Sequence, residues 1–284
     1  SSEYSKAGIS ASVQNHDIIY TAADGTITQL TNDTLTEKNP TISPDGRYVA
    51  FTRHNDLYSV EIATKKETRY TNDASDVVYN GYASWVYYEE ILGRASRYRA
   101  FWWSPDSRYL AYMRFDDSQV PVFPIYSEKG QHGFTENTRY PKAGDKNPEV
   151  KVGVVPVSGG ATIWAAFDEK ADQYFGTPFW TSDNHLWLQW MNRGQDNLKL
   201  YDINLSTGAK KEVYDEKQST WIDWKDGMTI LEKGRGFIIE SDKTGWSHLY
   251  WYNMDGSLKK QLTSGNWTVN YTVAFDAKQE QIYF

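Results

Sequence analysis

The sequence predicts an all-β protein, a β-propeller with four-stranded antiparallel blades. Three observations support this prediction. Aromatic residues make up 15% of the 284-residue chain, which has 12 Trp and 21 Tyr, and these residue types favour strands. Short alternating segments are separated by tight turns, and one turn-and-strand phrase recurs along the chain. Repeated units of roughly 40–60 residues, each with four short strands, are typical of a propeller.

The first two units set the pattern. Residues 17–20 and 26–30 flank the turn residues Asp24 and Gly25, a combination that predicts a β-hairpin. In the next unit, a Ser-Pro-Asp-Gly turn leads into a strand that ends at Phe51, and three further short segments follow at residues 55–60, 64–66 and 67–71. The sequence therefore predicts four short strands joined by tight turns in this unit.

The same phrase returns later in the chain. Residues 43–51 read SPDGRYVAF and residues 104–112 read SPDSRYLAY. Weaker copies occur at residues 180–188 and 232–239, and a last copy begins at Phe275 and breaks off in a strand at residues 282–284. We interpret these units as about five blades, one of them unfinished. A β-sandwich is the alternative, because it also has short strands and regular turns, but the repeated phrase favours the propeller.

Composition excludes several classes of function. A net charge of −7 without a run of Lys or Arg argues against nucleic acid or an anionic membrane surface as a partner. With no Cys, the chain has no disulfide, thiol nucleophile or Cys-ligated metal. No segment is apolar enough to predict a membrane span. We predict neither a cofactor nor a metal site, because the histidines are isolated and in no metal-ligand pattern: His16, His54, His132, His185 and His248.

The adjacent acids Glu89 and Glu90 are the candidate binding residues. They lie in a segment flanked by Trp85 and Trp102, where bulky aromatic side chains would restrict water. Adjacent carboxylates in such surroundings raise each other's pKa unless a cation is present, and an ammonium group can donate charge-assisted hydrogen bonds to both. The alternatives are a solvated surface pair or neutralisation by an arginine of the same chain: Arg94, Arg97 or Arg99.

A long polar insertion follows between Tyr112 and Val155. Loops of this length usually serve a function or bind a partner. The sequence also contains no Gly-x-Ser-x-Gly nucleophile elbow. Because acyl transfer requires Ser, His and Asp on one scaffold, we do not predict peptide hydrolysis by this chain alone.

Three segments carry a resemblance to a known family. Residues 80–90, NGYASWVYYEE, closely resemble the stretch of the dipeptidyl peptidase IV family that contains its double-glutamate motif. Residues 102–105, WWSP, and residues 140–150, YPKAGDKNPEV, match further phrases of that family. The resemblance is dense over residues 80–155, and looser phrases at 187–190 and 245–250 extend it.

The resemblance implies an eight-bladed amino-terminal propeller followed by an α/β-hydrolase domain. Residues 1–284 would then be a single propeller domain, a fragment of about five to six blades, with the catalytic domain absent from this chain. The enzymes of this family release Xaa-Pro or Xaa-Ala dipeptides, and their substrate's α-ammonium contacts would carry over to Glu89 and Glu90. Residues 126–147 would be an arm that forms a homodimer. The lack of Cys resembles exported bacterial members, which implies a periplasmic or extracellular location.

Two positions depart from the family pattern. Ser84 stands where the family usually has Asp, and Tyr88 stands where it usually has a third acid. The family's carbonyl-binding Arg has no counterpart in residues 1–40. A non-catalytic propeller that acts as a protein-interaction platform remains the alternative, as does a propeller that handles glycans or lipoproteins. A hydrolase domain downstream of Phe284 would distinguish the exopeptidase from both.

Overall fold

The computed structural model describes residues 8–128, 131, 133–270, 272, 274–276 and 281–284. Antiparallel sheets of short strands dominate these residues, so the all-β prediction is confirmed. Residues 1–7, part of the predicted arm (Lys129, Gly130 and His132) and the turn of the last predicted repeat (277–280) lie outside the described residues.

The strands in chain order are β1 (Ser10–Gln14), β2 (Asp17–Thr21), β3 (Ile27–Gln29), β4 (Glu37–Ile42), β5 (Tyr48–Arg53), β6 (Asp56–Glu61), β7 (Glu67–Arg69), β8 (Val78–Asn80), β9 (Phe101–Trp103), β10 (Tyr109–Asp116), β11 (Val122–Ser127), β12 (Phe134–Arg139), β13 (Glu149–Pro156), β14 (Ile163–Trp164), β15 (Gln173–Phe175), β16 (Phe179–Trp180), β17 (Leu186–Asn192), β18 (Asn197–Ile203), β19 (Lys210–Lys217), β20 (Thr229–Leu231), β21 (Gly236–Ser241), β22 (His248–Tyr252), β23 (Leu258–Gln261), β24 (Ala274–Asp276) and β25 (Gln281–Tyr283). A π-helix spans Tyr87–Ile91, and short 3-10 helices span Arg94–Ser96 and Glu232–Gly234.

The chain forms two compact units, Ser1–Asp172 with Leu205–Ala209, and Gln173–Asn204 with Lys210–Phe284. The first unit has one sheet with the order β1-β2-β3 and one with the order β4-β5-β6-β7. In its third sheet the order is β14-β13-β10, and β8 and β9 both pair with the other edge of β10. Strands β11 and β12 form a separate hairpin. In the second unit the sheets run β17-β18-β19 with β15 and β16 beside β17, then β20-β21-β22-β23, then β24-β25.

The repeated phrase forms the same turn twice. Ser43 Oγ donates to Asp45 Oδ1 at 2.6 Å and accepts from the Tyr48 N–H at 3.0 Å. The second copy, at residues 104–109, makes both bonds at the same distances. Ser and Asp side chains favour such local bonds to neighbouring backbone groups, which explains why this phrase precedes both β5 and β10.

Strand β5 is covered on both faces. Val49 and Phe51 belong to a core that includes Ile18 of β2, whereas Ala50 belongs to a core that includes Leu110 of β10. Alternate residues of a strand point to opposite faces, so this strand contributes to the cores on either side of its sheet. Packing of sheet against sheet on both faces is the arrangement of propeller blades.

The edge strand beside β10 is interrupted by an excursion. The Met113 C=O accepts from the Gly81 N–H at 2.9 Å, and the Met113 N–H donates to the Ala100 C=O at 2.9 Å. The Ala100 N–H also donates to the Gly81 C=O at 3.0 Å. Strands β8 and β9 are therefore two halves of one edge strand, and residues 81–100 leave the sheet and return at Met113. We call these residues the excursion.

Gly81 is required where the excursion begins, and its substitution gives a first testable prediction. Its φ is +71°, and an added Cβ would lie 3.2 Å from Leu57 Cδ1 and 3.4 Å from Phe101 Cδ1. Left-handed backbone costs an L-residue roughly 1–2 kcal/mol, and overpacking a core adds about 1 kcal/mol or more. We expect Gly81→Ala to lower the free energy of unfolding by roughly 2–3 kcal/mol in denaturant titrations.

Gly25→Ala is the matched control for this prediction. Gly25 has a φ of +85°, but no atom lies within 4 Å of the position of an added Cβ. This variant should therefore lower the free energy of unfolding only by the cost of placing an L-residue in left-handed backbone. If Gly81→Ala and Gly25→Ala lowered the free energy of unfolding equally, tight packing at the start of the excursion would be contradicted.

Candidate functional site

The candidate site is built on the π-helix Tyr87–Ile91, which contains Glu89 and Glu90. The helix starts with an ordinary α-type bond, from the Tyr88 N–H to the Ser84 C=O at 3.0 Å. It then widens, because the Leu92 N–H donates to the Tyr87 C=O, five residues earlier, at 2.7 Å. Isolated π turns of this kind are rare and often occur at functional sites.

Two edge-to-face aromatic contacts hold the helix in place. Tyr87 is 1% exposed, and its ring meets Phe115 of β10 at a centroid distance of 4.9 Å. Trp85 meets Tyr140, at the base of the β11–β12 hairpin, at 4.7 Å. Such pairs contribute about 0.5–1.5 kcal/mol each beyond their buried area. The helix is thus fixed both to the sheet and to the hairpin.

Tyr88 packs on another part of the excursion. Its ring stacks on Tyr98 at 3.8 Å, and Tyr98 stacks in turn on Tyr82 at 5.0 Å. The Lys38 ammonium lies 4.6 Å from the Tyr82 ring centroid, within the range of a cation–π interaction. In this chain the position before the glutamate pair therefore contributes aromatic packing rather than a third negative charge.

The two glutamates have different surroundings. The side chain of Glu89 is 13% exposed, and its Oε2 accepts from Arg94 Nε at 2.7 Å. Glu90 is exposed, and no described residue forms a hydrogen bond or ion pair with its carboxylate. Of the three arginines considered from the sequence, Arg94 is the one that pairs with Glu89. The two adjacent residues thus differ, because Glu89 is ion-paired and largely shielded whereas Glu90 is exposed and has no partner among the described residues.

A buried acid, Asp117, braces the start of the helix. Asp117 is 2% exposed, and Ser84 Oγ donates to its Oδ2 at 3.0 Å. Its Oδ1 is buried and has no hydrogen-bond partner among the described residues. Burial raises the pKa of Asp117 to about 7, while the Ser84 hydrogen bond and the charge of Arg139 oppose this rise. Sequence reasoning missed Asp117; its signal is an acid directly after the buried strand β10.

A cavity of about 520 Å³ lies beside the excursion. It is lined by residues 10–13 of β1, residues 39–41 of β4, and residues 95–97 and 99 of the excursion. Among the described residues β1 is an edge strand of its sheet, so the cavity lies along a sheet edge. We do not assign it to the candidate site.

Three of the four histidines in the described part of the chain, His16, His185 and His248, form hydrogen bonds through their rings. His248 is buried and bonds Thr263 Oγ1 and the Gly265 C=O, both at 3.0 Å. His185 bonds Asp202 at 2.9 Å. Within the described ranges, no group of three or more His, Asp or Glu side chains could hold a metal ion. No helix among these residues is long and apolar enough to cross a membrane.

Comparison with known sequences identifies relatives along most of the chain. Residues 4–284 match the family model described as "Dipeptidyl peptidase IV (DPP IV) N-terminal region". The chain is 34% identical over 257 residues to dipeptidyl peptidase 4 of Trichophyton equinum, with 85% of this chain and 32% of that protein covered. It is 31% identical over 260 residues to the probable dipeptidyl peptidase 4 of Aspergillus flavus. The chain therefore spans about a third of the length of these relatives.

Comparison with solved structures also finds dipeptidyl peptidases, which are similar to this chain in fold. The crystal structure of Porphyromonas gingivalis dipeptidyl peptidase 4 is similar with a TM-score of 0.80 and 28% identity, covering 95% of this chain and 39% of that one. A putative dipeptidyl aminopeptidase IV from Bacteroides ovatus has a TM-score of 0.77 at 24% identity, covering 99% of this chain and 41% of that one; this likeness concerns the fold alone. The predicted β-propeller class is confirmed.

Proposed function

The chain belongs to the dipeptidyl peptidase IV family, and we propose that Glu89 and Glu90 bind the free amino terminus of a peptide substrate. One observation carries this proposal. The π-helix, fixed by aromatic contacts, contains the exposed Glu90 next in sequence to Glu89, whose side chain is only 13% exposed. Such a pair suits a small cation with several hydrogen-bond donors.

The α-ammonium group of a peptide fits this description. It carries three N–H donors in a compact charge, so it can bond two adjacent carboxylates at once. Hydrogen bonds between ionised partners are shorter and about twice as strong as neutral ones. An amino terminus has a pKa of about 7.7–8.0, so much of the substrate is cationic near neutral pH.

Fixing the amino terminus would also select the bond that is cut. A substrate held at its first nitrogen presents a defined peptide bond to a nucleophile at a fixed distance. We propose that the full-length protein contains an α/β-hydrolase domain with Ser, His and Asp, and that it releases Xaa-Pro or Xaa-Ala dipeptides. The role of this chain would be to admit and align the substrate in an exported, periplasmic or extracellular enzyme.

The β11–β12 hairpin would serve assembly. Several of its apolar side chains are exposed, with Tyr126 at 66%, Phe134 at 51% and Val122 at 51%. Exposed apolar patches of this kind mark interaction surfaces. We propose that this hairpin, which overlaps the predicted arm of residues 126–147, contacts a second copy in a homodimer. The same exposed surface favours the alternative of a non-catalytic interaction platform, which would lack a hydrolase domain after Phe284.

Blocking the substrate's amine tests the proposed function. In the full-length protein, we expect an N-acetylated tripeptide to be cleaved with a kcat/KM at least about 100-fold below that of the free tripeptide, because the acetyl group removes the charge and two of the donors. For the free peptide, KM should rise as the pH increases through the amine pKa of about 8. Equal kinetics for both peptides would reject ammonium binding.

A further inference from the structure

The ion pair between Glu89 and Arg94 is unequal in exposure. The side chain of Glu89 is 13% exposed, whereas that of Arg94 is 73% exposed. A single contact joins them, from Arg94 Nε to Glu89 Oε2 at 2.7 Å, and Glu89 is the only ion-pair partner of Arg94 among the described residues. Ion pairs with one partner largely in water are weak, so Arg94 can leave at little cost in free energy.

Gly93 places Arg94 opposite the glutamate. Its φ of 79° and ψ of 152° define a backbone conformation that is essentially restricted to glycine. The chain then forms the 3-10 helix Arg94–Ser96, with the Ser96 N–H donating to the Gly93 C=O at 3.0 Å. This sharp turn brings the Arg94 guanidinium back to Glu89, five residues earlier in the chain.

We propose that Arg94 is an internal competitor of the substrate ammonium and thereby sets the affinity of the site. This inference rests on the proposed function of Glu89 and Glu90. In the ligand-free protein Arg94 occupies Glu89, and Glu90 offers the first contact to an incoming ammonium group. As the ammonium bonds to both carboxylates, like-charge repulsion moves the Arg94 side chain into solvent. Arg94 therefore raises the substrate concentration needed to fill the site.

Arg97 provides a matched control within the same turn. It is exposed, and its backbone N–H donates to the Arg94 C=O at 3.1 Å. In the described part of the chain, its side chain pairs with neither glutamate. Replacing Arg97 by Gln removes the same charge from the same turn without releasing Glu89.

The test is steady-state kinetics of the full-length enzyme with a chromogenic dipeptide substrate at low ionic strength. We expect Arg94→Gln to lower KM roughly two- to fivefold, the range for one exposed ion pair, with kcat unchanged. Arg97→Gln should leave both parameters at the wild-type values, and Arg94→Lys should keep most of the competition. Added salt should reduce the difference between wild type and Arg94→Gln.

A higher KM for Arg94→Gln would show that Arg94 orients Glu89, and an unchanged KM would show that Arg94 has no effect at this site. Either result would reject the proposal that Arg94 competes with the substrate ammonium. The N-acetylated peptide separates this failure from a failure of the proposed function. If wild type prefers the free amine and Arg94→Gln binds no more tightly, only the competition is wrong. If wild type does not prefer the free amine, both proposals are wrong.

Discussion

Replacing Glu89 and Glu90 together by Gln is expected to lower kcat/KM of the full-length enzyme by at least about 100-fold. The double variant removes both negative charges from the site but keeps the size of the side chains. Each charge-assisted hydrogen bond to the ammonium contributes about 1.5–3 kcal/mol, so losing the charge of two gives roughly 3–6 kcal/mol, or about 150- to 25,000-fold. KM should rise, and kcat should fall because a misplaced amino terminus no longer aligns the scissile bond.

Glu61→Gln is a suitable control for this double variant. Glu61 also pairs with an exposed arginine, Arg47, at 3.2 Å, but it lies at the end of β6 in a different sheet. Its replacement tests whether removing a surface carboxylate away from the site changes kcat/KM, and we expect no change. A double variant that behaves like this control would reject the ammonium site, whatever its thermal stability.

Much of the fold was predictable because its signals are local. The Ser-Pro-Asp turn is closed by side chains within a few residues of one another, as the bonds of Ser43 to Asp45 and Tyr48 show. The alternation of Val49, Ala50 and Phe51 encodes two buried faces in three consecutive positions. Neither signal depends on distant parts of the chain, so both repeats could be recognised in the sequence.

The geometry of the site was not predictable to the same extent, because it depends on long-range pairing. The excursion exists because Gly81 and Ala100 both bond Met113 of another strand, and no short sequence pattern marks that interruption. The sequence also left three arginines as possible partners of the glutamates. The backbone of Gly93 decides between them, since its positive φ turns Arg94 back toward Glu89.

Asp117 was missed for a related reason. Its sequence, Asp116-Asp117-Ser118, is that of an ordinary polar turn. Only the folded chain shows that Asp117 is buried under Ser84 at the start of the π-helix. Because this carboxyl group keeps one oxygen without a hydrogen-bond partner among the described residues, it costs stability when it is ionised.

Asp117→Asn is therefore expected to raise the free energy of unfolding at pH 8. The folded protein raises the pKa of Asp117 to about 7, whereas an unfolded Asp has a pKa of about 3.9. Below pH 4 both states are protonated, so the group contributes no penalty. Between pH 4 and pH 7 the unfolded chain ionises first, so stability falls, and above pH 7 the full penalty is present. Its upper limit is about 4 kcal/mol, from a difference of roughly three pKa units.

Denaturant titrations of wild type and variant at pH 4 and pH 8 measure this difference. Asn has the shape of Asp, stays neutral at both pH values, and can still accept a hydrogen bond from Ser84 Oγ. The variant's gain in the free energy of unfolding should therefore appear at pH 8 and nearly vanish at pH 4. Asp116→Asn is the matched control, because its side chain is only partly buried and accepts from the Ser118 N–H at 2.9 Å. A loss of stability for Asp117→Asn at pH 8 would mean that the folded protein needs the ionised carboxylate, which its single hydrogen bond to Ser84 does not explain.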